Sequence, residues 1–199
     1  RVPTAEHRLV WGVDVAGGGD YNVYAIRQGN LAWFETWNRS NDTMTNVNEV
    51  IRLIEKYTHT QIVEDKEVKT RFLKPEQVFI DDIGIGRGVT DRLKELGYAV
   101  NGISVGGKPK DPEKYKNIKA ENYWLAQEWV KKADTRLIHD KDNRWHQMTW
   151  IKYKVSTDKV LQIEPKEDLK KRTSKSPDFA EAFMLTFSVA DPTPNLTWL

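Results

Sequence analysis

The sequence of 199 residues predicts an α/β fold in which a central mixed sheet of five strands is flanked by helices, with a β-hairpin late in the chain. Two observations lead to this fold class. Short apolar segments of strand character alternate with segments in which apolar residues recur at helical spacing. The order is three strands, a helix, a strand, a helix, a strand and then mostly helix, which is typical of a sheet with helices on its faces.

The first forty residues predict three strands. Residues 9–16 are apolar almost throughout, as in a strand buried on both faces. Residues 21–28 and 31–38 follow, and the Gly-Asn pair between them suits a hairpin turn. We therefore expect antiparallel pairing of the hairpin-linked strands, and a parallel return beside the first strand by residues 78–82.

The rest of the chain predicts helices, one more strand and the late hairpin. These elements are helices over 46–57, 89–96, 118–133, 144–151 and 177–190, a strand over 98–105, and a hairpin made by 152–155 and 160–163. Residues 59–76 are interpreted as a connecting segment, and 106–117, rich in Gly, Pro and Lys, as a loop with the composition of a mobile segment. Residues 1–190 then form one domain, and 191–199 a C-terminal tail.

Composition excludes several kinds of protein. The chain has no cysteine, so disulfides and thiolate metal sites are excluded and a reducing compartment is allowed. No apolar run reaches the roughly 18 residues of a transmembrane helix, and the N-terminus has no apolar core of a signal peptide, so we expect no membrane partner. A net charge of +2 is too small to indicate nucleic acid by itself.

Three aspartates stand in segments that could bring their carboxylates together. Asp14 lies in the first apolar run, Asp81 ends the fourth predicted strand, and Asp178 opens the last predicted helix. Ligands of open α/β sheets gather beyond the carboxyl ends of strands, which favours a shared site. Carboxylate oxygens suit Mg²⁺ or Mn²⁺, and two such ions roughly 4 Å apart hydrolyse a phosphodiester without a nucleophilic side chain.

Each of these acids also has a purely structural interpretation. Asp14 suits a strand end bonded to the glycine-rich turn that follows, and Asp178 suits the first turn of a helix after a serine cap and a proline. Strand alternation lets only one of Asp81 and Asp82 share the face of Asp14, so Asp81 is our choice and Asp82 the reserve. Asp20, beyond the glycine turn, is an accessory metal candidate or simply a turn residue.

Basic residues are concentrated in two runs, within 108–119 and 166–175. The candidate DNA contacts in these runs are Lys108, Lys110, Lys114, Lys116, Lys119, Lys170, Lys171, Arg172 and Lys175. Either run alone is more typical of a solvated face. Two basic runs around an acidic metal site are the arrangement that a polyanionic substrate requires.

Other signals are weaker. Residues 102–109 nearly match a phosphate-binding loop, but Pro109 replaces the hydroxyl residue that would hold magnesium. The glycines of 84–88 are interpreted as a turn that permits close backbone approach. The histidines show no metal-ligand spacing, and the tryptophans are typical core residues, with Trp124 and Trp145 kept as candidate DNA contacts.

The motifs occur in a fixed order along almost the whole chain. They are residues 12–16 with 19–20, the D-x-x-G-x-G-x-G-V-x-D-x-L pattern of 81–93, the helix start at 117–121, the hairpin from 153, and 166–172 followed by 176–183. This ordered set resembles the nuclease domain of tailed-bacteriophage large terminases, a ribonuclease H-like fold. The resemblance implies a metal-dependent endonuclease that cuts concatemeric viral DNA during genome packaging in the host cytoplasm.

The resemblance also implies roles for single residues and a set of partners. Asp14, Asp81 and Asp178 match catalytic acids that bind two Mg²⁺ or Mn²⁺ ions, and Asp20 matches an acid found in some members only. Glu181 stands where the family usually has Asp, and is not assigned as a ligand. Implied partners are double-stranded DNA, the packaging ATPase domain, small terminase and portal protein. The sequence has no Walker motif and begins without Met, so we expect the C-terminal part of a longer protein.

Three alternatives stay open at this stage. A junction resolvase or transposase of ribonuclease H-like fold would use the same three acids. A degenerate module that docks on DNA or portal would bind without cutting. A sugar-kinase-like ATPase, prompted by Asp14 and the glycines of 17–19, would need a second glycine-rich phosphate loop, which the sequence does not offer.

Overall fold

The computed structural model describes residues 9–58, 61–63, 66–68, 77–138 and 142–188, and its centre is a mixed sheet of six strands. In spatial order the strands are β7 (Asn101–Ile103), β6 (Val78–Asp81), β1 (Leu9–Asp14), β2 (Asn22–Gln28), β3 (Leu31–Asn38) and β8 (Arg136–Leu137). Strands β1, β2 and β3 pair antiparallel, whereas β6 runs parallel to β1 and β7 parallel to β6. The predicted fold class and strand pairing are confirmed, and the two-residue β8 is an addition at the edge.

Helices cover both faces of this sheet. They are α1 (Thr43–Thr58), α2 (Ile85–Glu95), α3 (Ile118–Val130), α4 (Lys166–Thr173) and α5 (Asp178–Leu185), with a 3-10 helix over Arg144–Trp150. Two hairpins lie outside the sheet, β4 (Gln61–Val63) with β5 (Lys66–Val68), and β9 (Tyr153–Val155) with β10 (Leu161–Ile163). In the described part of the chain, none of the helices combines the length and apolarity needed to cross a membrane.

The alternation of β1 divides the core into two layers. Leu9, Trp11 and Val13 pack with the buried residues of α1 and α2. Val10 packs on the opposite face with residues of α5 and with Tyr123 of α3. Side chains two apart share a face of a strand, so Gly12 and Asp14 lie on the α5 side with Val10. The strand therefore delivers Asp14 to the layer that contains α5.

Several elements and boundaries differ from the sequence predictions. Helix α1 begins earlier because Asp42 caps it, accepting a hydrogen bond from the Thr45 amide at 2.7 Å. The segment 59–76, predicted as a plain connection, contains the β4–β5 hairpin. Residues 166–173 form a helix although we read them only as a basic run, and α5 ends at Leu185 rather than at 190. The tail predicted over 191–199 lies outside the described residues.

Helix α2 begins at Ile85, so part of the predicted glycine turn is helical. A methyl group on Gly86 would lie 1.8 Å from the carbonyl oxygen of Asp81, the last residue of β6. The glycine thus lets the helix start directly against the strand end, as the expected close backbone approach requires. Thr90, one turn later, is fully buried and donates its hydroxyl to the Gly86 carbonyl at 2.9 Å.

A second close approach joins β1 to α5. A methyl group on Gly12 would lie 2.0 Å from the carbonyl oxygen of Ala182 and 3.0 Å from the Leu185 side chain. No ordinary side chain fits there without separating the helix from the strand. The distance between β1 and α5, and with it the distance between Asp14 and the acids of α5, depends on this glycine.

Replacing Gly12 with Ala is expected to destabilise the fold by about 3 kcal/mol, at the upper end for overpacking, because backbone rather than a flexible side chain must move. Equilibrium unfolding in urea measures this loss. Gly17→Ala is the matched control, since a methyl group there would find its nearest neighbour, the Ile85 side chain, at 3.6 Å. Equal unfolding free energies for the two variants would contradict the tight β1–α5 contact.

Candidate metal centre

The first acid of the site comes from the end of a fully buried strand. Asp14 is the last residue of β1 and is 6% exposed. It lies on the α5 face of the sheet, where α5 approaches through the contact at Gly12. A buried carboxylate needs compensation by positive charge or hydrogen bonds, and here compensation must come from groups on other elements.

The neighbouring strand supplies the second acid. Strand β6 pairs with β1 through Val13 and Ile80, so Asp81 follows the pair at the same edge as Asp14. Phe79 packs in the α5 layer and Ile80 in the opposite layer, so Asp81 alternates back to the α5 face. Asp82 lies instead against β7, where a methyl group on Gly102 would be 2.8 Å from its carboxylate. This geometry favours Asp81 over Asp82 as the acid of the site.

Two acids come from the first turn of α5. Asp178 and Glu181 are 3% and 5% exposed, and with Asp14 they offer ligand oxygens within 4.8 Å of one another. The backbone amide of Tyr21 donates to Asp178 Oδ2 at 2.9 Å. The sequence reasoning did not assign Glu181 as a ligand, although its spacing of three residues from Asp178 places both acids on one helix face. Asp81 is not among the acids whose oxygens converge within 4.8 Å, but it ends the neighbouring strand on the same face, and we call Asp14, Asp81, Asp178 and Glu181 together the acidic cluster.

Two lysines hold the Glu181 carboxylate. Lys119 at the start of α3 donates to Oε1 at 2.7 Å, and Lys166 at the start of α4 donates to Oε2 at 2.5 Å. Although burial opposes ionisation, these ammonium groups keep the pKa of Glu181 below its usual value. Lys119 was predicted as a DNA contact, but its side chain is only 19% exposed and is directed into the acidic cluster.

The three aspartates are electrostatically strained. Burial, followed by the charge of Glu181, raises the pKa of Asp14 well above its usual value. The same two causes raise the pKa of Asp81 to about 6, and burial raises the pKa of Asp178. Two carboxylate oxygens, Asp81 Oδ1 and Asp178 Oδ1, are buried without a hydrogen-bond partner in the described part of the chain. Unpaired oxygens in a cluster of ionisable acids are what a divalent cation would satisfy, so the residues fit Mg²⁺ or Mn²⁺.

Several of the predicted DNA contacts form salt bridges instead of standing free. Lys114 pairs with Asp111 at 2.8 Å, Lys171 with Asp168 at 3.2 Å, and Arg172 with Glu164. Of the predicted DNA contacts, those that are exposed and form no salt bridge among the described residues are Lys108, Lys110, Lys116 and Lys175. These four are the groups best placed to meet a phosphate backbone.

Asp20 occupies the rim of the site. Its carboxylate accepts a hydrogen bond from Lys170 at 2.9 Å, which links the turn after β1 to α4. It is not among the acids whose oxygens converge within 4.8 Å. A polar cleft of about 620 Å³ opens beside it, and Asp178, Arg39 and Lys175 are among its lining residues. The cleft gives solvent, and a ligand, access to the Asp178 side of the acidic cluster.

The loop over residues 106–117 is held in place more firmly than its composition predicts. The buried Glu121 carboxylate accepts hydrogen bonds from the amides of Lys110 and Asp111 at 2.9 and 3.1 Å. The amide of Lys116 bonds to the Leu161 carbonyl at 2.9 Å, which joins the loop to the late hairpin. The exposed lysines of the loop therefore project from an anchored backbone.

The two tryptophans kept as DNA candidates differ in setting. Trp145 packs 4.1 Å from Phe34 and 5.1 Å from Phe183, measured between ring centroids, so it is a packing residue of the α5 layer. Trp124 makes an edge contact with the exposed Tyr153 at 5.8 Å and lines an apolar groove.

The fold is similar to that of known nuclease structures. No protein-family model and no curated protein matches the chain. Solved structures do match. A mutant nuclease domain of the large terminase subunit gp2 of bacterial virus Sf6 aligns with a TM-score of 0.65 and 16% identity, over 94% of this chain and 90% of that chain. The large terminase nuclease of thermophilic phage G20c aligns with a TM-score of 0.61 and 13% identity, over 94% of this chain and 84% of that chain. The large terminase nuclease domain of Thermus phage P74-26 aligns with a TM-score of 0.58 and 13% identity, over 94% of this chain and 81% of that chain. Structures of the first two contain manganese, calcium, magnesium or cobalt. At these identities the likeness confirms the predicted fold.

Proposed function

We propose that this chain is the nuclease part of a phage large terminase, a metal-dependent DNA endonuclease that cuts concatemeric viral DNA during genome packaging in the host cytoplasm. One observation carries the proposal: Asp14, Asp178 and Glu181 converge on one site beside Asp81, with two buried carboxylate oxygens unpaired. The fold that presents them is also the fold of terminase nucleases.

Asp14, Asp81 and Asp178 would hold two Mg²⁺ or Mn²⁺ ions, with Asp20 as an accessory acid. Asp82 is the reserve candidate, which would replace Asp81 as a ligand if Asp81 were shown not to be one. When bound, such ions lower the pKa of a bound water and stabilise the oxygens of the attacking and leaving groups. The chain contributes oriented carboxylates on two strand ends and one helix start, whose backbones are fixed by the contacts at Gly12 and Gly86. Elements this rigid keep the ligand oxygens in place.

Lys119 and Lys166 supply positive charge within the site. They offset the charge of Glu181 where Asp14 and Asp178 are also buried, which lowers the repulsion within the acidic cluster. Lys166 is 40% exposed, so one face of its side chain is open to a substrate. The exposed lysines of the anchored loop and Lys175 extend this charge outward, as binding of duplex DNA requires.

The wider assignment follows from the same proposal. Double-stranded DNA is the substrate, and the partners are the packaging ATPase domain, small terminase and portal protein, which would set the time and place of cutting. The fold shared with terminase nucleases is what supports these partners, and the DNA substrate can be tested on the isolated chain.

Supercoiled plasmid and a synthetic four-way junction, each incubated in EDTA, Mg²⁺ or Mn²⁺, test the proposal. We expect nicking and linearisation of the plasmid that depends on the metal. Preferential cutting of the junction would favour a resolvase. Metal-independent DNA binding without any cutting would favour a degenerate docking module.

Removing exposed lysines of the anchored loop is expected to weaken DNA binding and flatten its salt dependence. Each phosphate contact contributes about 0.9 to the slope of log affinity against log salt, so Lys108, Lys110 and Lys116 changed together to Ala should lower the slope by roughly 2 to 3. Fluorescence anisotropy of a labelled duplex in EDTA measures it. Lys94→Ala, an exposed lysine on α2 at the opposite face of the sheet, is the control. A slope unchanged in the triple variant would exclude the loop as a DNA contact.

A further inference from the structure

Tyr123 packs in the apolar layer formed by the elements that carry the acidic cluster. It follows Lys119 by one turn of α3, so the two side chains share a helix face. Its ring is 5% exposed and packs in one cluster with Phe79, Ala180 and Met184. Ala180 is the neighbour of Glu181 in α5, and Phe79 shares the face of Asp81 in β6. The phenol is therefore enclosed by the same elements that carry the acids.

The hydroxyl of Tyr123 is buried and has no hydrogen-bond partner among the residues that the structure describes. Buried hydroxyls in native proteins are nearly always bonded, and an unpaired one needs an explanation. The other deeply buried tyrosine of the described chain, Tyr24, follows the rule and donates to Asn46 Oδ1 at 3.1 Å. In the described part of the chain six buried side-chain atoms have no partner, and three of them, Asp81 Oδ1, Asp178 Oδ1 and Tyr123 Oη, belong to the acidic cluster or to the apolar layer that contains Tyr123.

The unpaired atoms are complementary in chemistry. Burial, then the charges of Glu181, Asp14 and Asp178, raise the pKa of Tyr123 well above its usual value, so the phenol stays protonated and is a donor. Ionised carboxylates are acceptors only. The Tyr123 hydroxyl and two carboxylate oxygens, Asp81 Oδ1 and Asp178 Oδ1, thus lack partners among the described residues, while Lys119 and Lys166 bind Glu181.

We propose that Tyr123 is a positioning residue of the metal centre, and that its hydroxyl donates a hydrogen bond to a carboxylate of the acidic cluster when a divalent ion is bound. The inference rests on the proposed function. Lys119 and Lys166 hold the two Glu181 oxygens, and a bound divalent ion would compete with them for carboxylate oxygens. The carboxylates of the cluster would then need other hydrogen-bond donors. A phenol serves this purpose better than an ammonium group, because it orients a carboxylate without adding a positive charge that repels the ion.

Tyr123→Phe tests the role, because it removes only the hydroxyl. Titration calorimetry with Mn²⁺ should give affinity about 10-fold weaker than in the wild type, as for other hydrogen-bond partners of metal ligands. The melting temperature of the metal-free variant should be unchanged or higher, since no hydrogen bond is lost. Addition of Mn²⁺ should also perturb the near-ultraviolet tyrosine absorption of the wild type more than that of the variant.

Tyr24→Phe is the matched control. It removes a hydroxyl that is bonded, so it should lower the melting temperature and leave the Mn²⁺ affinity as in the wild type. Equal Mn²⁺ affinity for Tyr123→Phe and wild type would overturn the inference and leave the proposed function intact. A lower melting temperature of metal-free Tyr123→Phe would overturn it too, because the hydroxyl would then have a partner already. A wild-type chain that binds no Mn²⁺ would remove both proposals.

Discussion

Replacing Asp14, Asp81 or Asp178 with Asn is expected to abolish metal-dependent cutting of plasmid DNA. Each substitution keeps the size of the side chain and removes one negative charge from a site that must hold divalent cations. Loss of one group that stabilises transition-state charge typically lowers the rate by about 10²–10³-fold, and a missing ligand for an ion adds to that loss. Initial rates of nicking at saturating Mn²⁺ and at limiting Mn²⁺ separate lost catalysis from weakened metal binding.

Asp82→Asn is the matched control for Asp81→Asn. It changes the same residue type one position along the chain, but on the side that faces Gly102 of β7. Its cutting rate should stay within a few-fold of wild type. Full activity in Asp81→Asn together with loss in Asp82→Asn would reverse the assignment. Equal cutting by wild type and all three Asn variants would remove the acidic cluster as the active site.

The sheet and the strand-borne acids were predictable because their signals are local. A strand buried on both faces reads as an apolar run, as residues 9–16 do, and the alternation of side chains fixes which acid faces which layer. That rule lets only one of Asp81 and Asp82 share the face of Asp14, and the observed faces of Phe79 and Ile80 put Asp81 on it. Two-residue strands such as β8 carry no such signal, since two residues show no period.

The charge partners of the site were not predictable, because they join distant parts of the chain. Lys119 and Glu181 are 62 positions apart, and nothing in either local sequence distinguishes a lysine that enters the site from one that meets solvent. The basic residues of 166–175 have different surroundings for the same reason. Lys166 binds Glu181, Lys170 binds Asp20, and Lys175 remains exposed. Composition predicts how many charges a segment has, and only the fold determines where each one is directed.

The anchoring of the loop over 106–117 was also not predictable, because it depends on hydrogen bonds of the loop backbone to another element. The glycines and prolines of the loop interrupt helices and strands and its lysines favour solvent, so the composition indicates a mobile segment. The anchor is one buried carboxylate, Glu121, in the first turn of the following helix. In sequence that residue is indistinguishable from an acid that favours a helix N-terminus.

Asp81→Asn is expected to stabilise the metal-free protein near neutral pH. The pKa of Asp81 in the folded chain is about 6, against an ordinary value of 3.8. Below about pH 3 the group is mostly protonated in both folded and unfolded states and has little effect. As pH rises through 4 to 6 the unfolded chain loses the proton first, so folding stability falls, by at most about 3 kcal/mol above pH 6. Asn has no charge to bury, so urea unfolding should show a gain of about 1–3 kcal/mol at pH 7.5 and little gain at pH 4.

Saturating Mn²⁺ should reverse this order. An ion that binds only the folded wild type stabilises it by about 2.7 kcal/mol at 100 times its dissociation constant, and Asp81→Asn should lose most of that gain. Asp91→Asn, an exposed acid on α2, should change stability by less than about 0.5 kcal/mol in either condition. If Asp81→Asn were less stable than wild type without metal at pH 7.5, the carboxylate would have to be satisfied by the protein already. A crossover between the two conditions would instead mean that the acidic cluster is retained at the expense of stability because a cation needs it.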